Sequence, residues 1–135
     1  MHCQGAAPNF LLPWQVDEQE TWTGSGFEVD LGGETFILTN AHVVENAFHV
    51  RVSRQHCASK ARAQVRCIAP DLDLALLRVQ EEGALGPASS SVVPQLAQRL
   101  PQLFSAVMVL GYAEGGNTVC VTKGIVSRVD AQTYA

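Results

Sequence analysis

The chain has 135 residues, 47% of them hydrophobic, and a formal net charge of -4 at pH 7; it is long enough to bury one ordinary core. An acidic chain whose Lys and Arg form no cluster along the sequence argues against a nucleic-acid partner, because phosphates are met by grouped cations. Its longest apolar stretches, such as Ala106 to Leu110, are far too short to span a membrane.

Charge is unevenly spread. Residues 1–50 hold seven acidic residues and no Lys or Arg, whereas residues 51–135 hold six acidic and nine basic. A solvated acidic face accounts for the first third. The start, Met1-His2-Cys3-Gln4, has neither a basic segment followed by an apolar one nor the Arg- and Ser-rich look of a transit peptide. The expectation is that a targeting segment lies outside this sequence or that the protein is not exported. Four cysteines, Cys3, Cys57, Cys67 and Cys120, form no Cys-x-x-Cys pair and no zinc-type spacing. A reducing compartment is the simplest account. A Cys57–Cys67 cross-link and a metal on His56-Cys57 are less economical than ordinary strand or loop roles, so no metal and no cofactor is expected.

Residues 1–20 carry Pro8, Pro13 and the cluster Phe10, Leu11, Leu12 and Trp14 without helical or strand period, which reads as an extended arm that docks its aromatics. Gly26 to Leu31 and Glu34 to Thr39 flank Gly32-Gly33, a pair able to take the positive φ of a tight hairpin turn. Phe48 to Ser53 and Ala61 to Ile68 alternate apolar and polar residues, the period of half-buried antiparallel strands. Leu74 to Val79 is a more continuous apolar run, as in a strand enclosed by a barrel. About six short strands over 21–80 fit a small closed barrel of Greek-key type. Gly83, Gly86, Pro87, three serines, Pro94 and Pro101 make 81–104 a linker with at most one helical turn. Ser105 to Tyr112 and Val119 to Val129 flank Glu114-Gly115-Gly116-Asn117, so 105–135 reads as a hairpin opening a second barrel. The expected fold is all-β.

Chemistry concentrates in two places. His42 closes Thr39-Asn40-Ala41-His42 where a strand ends, and Asp71 and Asp73 stand before Leu74-Ala75-Leu76-Leu77. A lone histidine is more often structural. An imidazole followed by a carboxylate ahead of an apolar strand is, however, two thirds of a Ser-His-Asp triad, in which the acid holds the imidazole in the tautomer that accepts the serine proton. Strand parity does not separate Asp71 from Asp73, since both point to the same side. Ser25 lies between Gly24 and Gly26, and Ser89, Ser90 and Ser91 lie in the linker; none is read as the nucleophile. Gly24-Ser25-Gly26 is too short for a phosphate loop and no Lys follows it.

Thr23-Gly24-Ser25-Gly26-Phe27, Phe36 to Val44, Asp71 to Leu77, Gly111 to Gly116 and Val121 to Arg128 stand in the order and spacing of the Deg/HtrA-type (protease Do-like) serine endopeptidases, which this chain resembles over nearly its whole length. Asn9 to Gln15 and Thr118 to Gly124 are most similar to the plant and algal organellar branch. The resemblance implies a trypsin-like fold, comprising a complete six-stranded N-terminal barrel (21–80) and the first hairpin of a second. It implies His42 as general base and Asp73, directly before the Leu-Ala-Leu step, as the orienting acid, with Asp71 left to cap a turn. Its nucleophile segment, Gly-Asn-Ser-Gly-Gly, does not occur in these 135 residues, so the chain is expected to be inactive alone, with no oxyanion hole. ATP-independent proteolysis of unfolded or damaged proteins, a chloroplast address ahead of mitochondrion or nucleus, and trimer-based assembly through Phe10 and Trp14 follow from the same resemblance. The alternative is a non-catalytic, chaperone-like β-barrel that binds unfolded chains through an exposed strand edge.

Overall fold

The computed structural model describes residues 1–6, 19–55, 59–81, 83–85, 93–113, 116 and 118–130. Nine strands dominate: β1 His2–Gly5, β2 Glu20–Thr23, β3 Phe27–Leu31, β4 Glu34–Thr39, β5 Ala47–Val52, β6 Ala61–Ala69, β7 Leu74–Val79, β8 Ala106–Tyr112 and β9 Val119–Ile125. One helical turn, α1 Ala41–Val44, follows β4, and a 3-10 turn, Pro70–Leu72, precedes β7. The fold is the all-β one expected, in two antiparallel sheets.

Seven strands form one sheet in the order β2-β1-β5-β6-β7-β4-β3, and β8 pairs only with β9. The two outermost strands of the large sheet, β2 and β3, are consecutive in the chain and separated by Gly24, Ser25 and Gly26 alone. A flat seven-stranded sheet would hold its edges roughly 29 Å apart, whereas the link from Thr23 to Phe27 reaches at most about 14 Å. The sheet must therefore curl until its ends approach. No ladder joins β2 to β3 among the described residues, so the chain itself bridges the gap. The glycines of the link serve close packing: a Cβ on Gly24 would sit 2.5 Å from a Val43 methyl, and one on Gly26 3.1 Å from the Leu38 carbonyl.

The β3–β4 hairpin turns at Gly32 and Gly33 with φ of 69° and 89°, and Gly33 N–H donates to Asp30 Oδ1 at 3.0 Å. Two right-handed-twist-compatible residues of positive φ are what a two-residue hairpin needs. Inside the curl lie Cys3, Ile37, Val44, Val50, Val52, Ala61, Ala75 and Leu77, the last with no exposed surface. Trp22 packs at the margin and donates its indole N–H to the Val43 carbonyl at 2.7 Å.

Two expectations need adjusting. The aperiodic start hides a paired strand, because His2–Gly5 lies between β2 and β5; the aromatic cluster with Phe10 and Trp14 lies outside the described residues. The continuous apolar run of β7 is not enclosed on both faces: Ala75 and Leu77 are buried while Leu74 and Arg78 are exposed. Leu74 is the first residue of β7, opposite Ala69 at the end of β6, where the ladder runs out. The turn between β8 and β9 is described only in part.

Candidate active site

β4 ends at Thr39, which is buried and donates its hydroxyl to the Ser25 carbonyl at 2.8 Å. Asn40 is extended, with φ -76° and ψ 146°, and the chain then turns into α1. α1 buries Ala41 and Val44 against the core, so His42 between them faces outward with 67% of its side chain exposed. Asp73 comes from the neighbouring strand's entry: β4 and β7 are paired up to Thr39 opposite Ala75, which sets Asp73 beside the end of β4. It is not a strand residue, as its apolar neighbours suggest, but closes the 3-10 turn in left-handed geometry with φ 51° and ψ 44°. Asp is one of the few L-residues that visits this region at low cost. The conformation swings its carboxylate out of the β7 alternation and toward α1.

There it is met from three directions. His42 N–H donates to Asp73 Oδ1 at 3.0 Å. The imidazole Nδ1 stands 2.7 Å from Oδ2 and 2.9 Å from Oδ1, and Asn40 Nδ2 donates to Oδ2 at 3.0 Å. These donors, led by the His42 backbone N–H and joined by the His42 and Asn40 side chains, hold the Asp73 carboxyl below its ordinary range. An ionised carboxylate only accepts, so the ring proton must sit on Nδ1. Nε2 then carries the lone pair, and among the described residues no hydrogen bond reaches it. An imidazole so held can take a proton at Nε2 while the carboxylate stabilises the cation that forms.

The structure thus brings His42 and Asp73 together and leaves Asp71 in the first turn of the 3-10 segment, with no bond to either among the described residues. Sequence reasoning missed Asn40, although it lies inside the Thr-Asn-Ala-His segment that drew attention to His42. It also missed Ser25, whose Oγ accepts the Tyr112 N–H at 2.8 Å and lies 3.4 Å from the Tyr112 carbonyl. Ser25 therefore ties β8 to the seven-stranded sheet. Nothing in a Gly-Ser-Gly segment announces a partner 87 residues away. Among the described residues no group of three or more His, Cys, Asp or Glu could hold a metal ion.

The trypsin-like peptidase domain matches residues 24–135. The chain belongs to the trypsin-like peptidase family. Among curated relatives, protease Do-like 2, chloroplastic, of Arabidopsis thaliana is 41% identical over all of this chain and 21% of its own length. Protease Do-like 4, mitochondrial, from the same plant is 38% identical over 95% of this chain and 23% of its own. A serine protease DegP homolog of Plasmodium falciparum is 31% identical over 94% of this chain and 14% of its own. The chain spans 14% to 23% of the length of these relatives, and its likeness is to Deg/HtrA-type proteases.

Proposed function

We propose that the chain carries the acid–base half of a Deg/HtrA-type serine endopeptidase acting on unfolded or damaged proteins, with His42 as general base and Asp73 as its orienting acid. The observation that carries this reading is the Asp73 carboxylate on His42 Nδ1 at 2.7 Å, with Nε2 facing away from it. In the reaction, His42 Nε2 takes the proton of a serine hydroxyl as the hydroxyl attacks the peptide carbonyl, and returns it to the leaving amine. Asp73 keeps the imidazole in the accepting tautomer and offsets its positive charge. Asn40 fixes the carboxylate by donating to the same Oδ2.

The nucleophile and the oxyanion donors are not among these residues in this reading. Ser25 Oγ is engaged with Tyr112, and without a nucleophile no acyl-enzyme forms. The 135-residue chain alone is therefore inactive toward casein and unlabelled by a fluorophosphonate. A chimera tests the roles: residues 1–130 replace the matching segment of protease Do-like 2. Casein cleavage by the chimera should fall by about 10⁴ in kcat with Asp73→Asn, by the triad precedent, and by orders of magnitude with His42→Ala, while Asp71→Asn changes little. A larger loss at Asp71 would reverse the assignment. Relatives named chloroplastic and mitochondrial support an organellar address, the chloroplast first, and assembly into trimers through the Phe10 and Trp14 arm belongs to the same proposal.

One observation favours a binding contribution besides. Met108 and Leu110 of β8 and Val121 and Ile125 of β9 share a face by register and alternation and are each at least 58% exposed, an apolar face on a hairpin with two open edges. Such a surface would hold unfolded chains by strand addition.

A further inference from the structure

The basic residues do not cluster along the sequence, but the sheet gathers them. His2 of β1 lies opposite Arg51 of β5, and Arg51 lies opposite Arg62 of β6. Residues opposed across antiparallel strands share a face, and the neighbours Cys3, Val50 and Ala63 occupy the core side. His2, Arg51 and Arg62 therefore form a row on the outer face of three adjacent strands. Lys60 and His49 border the same row: His2, His49, Arg51 and Lys60 line one open depression of about 270 Å³, and His49, Arg51 and Arg62 line a second of about 340 Å³. The two share His49 and Arg51, so they adjoin at these residues, and together they make up the groove of this face.

No ion pair neutralises this face among the described residues. The ion pairs there are His42–Asp73, Arg54–Glu28, Arg78–Glu34 and Arg128–Asp130, and none involves Arg51, Lys60 or Arg62. Like charges directly opposite each other in a sheet are destabilising. Arg51 facing Arg62 is such a pair, in a chain whose net charge is -4 and which has acids to spare. Burial, with Lys60 and the amino terminus adding repulsion, holds the His2 imidazole below its ordinary range. A ligand that supplied negative charge would relieve the repulsion among these cations.

We infer that the outer face of β1, β5 and β6 is a docking site for an acidic, extended peptide segment of a protein partner, gripped by Arg51, Arg62 and Lys60. Three adjacent strands place the row over about 10 Å. An extended peptide carries same-side side chains about 6.8 Å apart, so carboxylates two positions apart bridge neighbouring cations of the row. A single small anion would fill only part of a groove this long. A nucleic acid would need a longer basic track than this row, on a chain that repels it overall. Phe48, 60% exposed at the second depression, offers apolar contact to the side chains between the carboxylates.

The test is fluorescence anisotropy of a labelled alternating Glu-Ala octapeptide titrated with the 135-residue chain at low ionic strength. The expected result is saturable binding that weakens with salt, is not reproduced by an alternating Lys-Ala peptide, and falls by about tenfold or more in Arg51→Gln and in Arg62→Gln. Arg62→Glu separates this from simple unfolding: it converts the like-charge pair into an opposite pair, so it should raise Tm while abolishing binding. Unchanged binding in both glutamine variants, or equal binding of the Lys-Ala peptide, overturns the site. Tighter binding of a single-stranded oligonucleotide, or full displacement by equimolar inorganic phosphate, overturns the occupant.

Discussion

The seven-stranded sheet and the β8–β9 hairpin both carry apolar strands, the hairpin's being the richer, yet among the described residues only the large sheet buries side chains. Leu77 on β7 has no exposed surface, whereas Met108 on β8 is 67% exposed. The difference is not composition but closure. Because β2 and β3 are consecutive in the chain yet stand at opposite ends of the sheet, the sheet rolls around its own inner face. Among the described residues β8 and β9 pair only with each other, and a lone two-stranded ribbon is marginal by itself. The candidate site follows the same division: His42 and Asp73 sit at the rim of the rolled sheet, with no contribution from the hairpin among their hydrogen bonds.

Truncating matched apolar residues in the two regions tests this contrast most strongly. Leu77→Ala should cost about 2–5 kcal/mol, the range for emptying a packed core position. Met108→Ala should stay within about 0.5 kcal/mol, as at an exposed site. Urea denaturation of both variants decides it, and equal losses would mean that the hairpin is covered in solution.

A smaller effect probes the joint between the regions. Ser25→Ala removes the acceptor of the Tyr112 N–H and leaves that amide to solvent, a loss of about 1 kcal/mol. It should appear as faster hydrogen exchange across β8 and β9, with β4 and β7 unchanged. Exchange that speeds equally in both sheets would make Ser25 a general core residue rather than a tether.

Much of this was legible in the residues. The Gly32-Gly33 turn, the alternation of β5 and β6 and the hairpin at β8–β9 come from local pattern, and local pattern fixes them. What stayed hidden depends on distant parts meeting. His2–Gly5 looks aperiodic because a four-residue strand between two partners needs no long alternation. The left-handed turn at Asp73 is invisible in an Asp-Leu-Asp-Leu segment, although it decides which acid reaches His42. Arg51 and Arg62 are eleven positions apart and become neighbours only through the β5–β6 register, so a sequence without basic clusters folds into a protein that has one.

The smallest effect concerns acid. Asp73 has a depressed pKa in the folded chain, so its contribution to stability is complete above the unfolded carboxylate value of about 3.9 and is lost as pH falls through the folded value. Tm against pH should therefore drop less steeply below about pH 4 in Asp73→Asn than in the wild type. Identical acid limbs would mean that the three donors do not hold the carboxylate in solution.

The account stands or falls on how the His42 imidazole is held. Nitrogen-15 correlation spectra of the ring, recorded at a pH where the imidazole is neutral, read its tautomer directly. The account predicts a single His42 species protonated on Nδ1, with Nε2 unprotonated, giving way to an averaged or Nε2–H ring in Asp73→Ala. A wild-type ring that is already averaged, or protonated on Nε2, would show that Asp73 does not orient the proposed base.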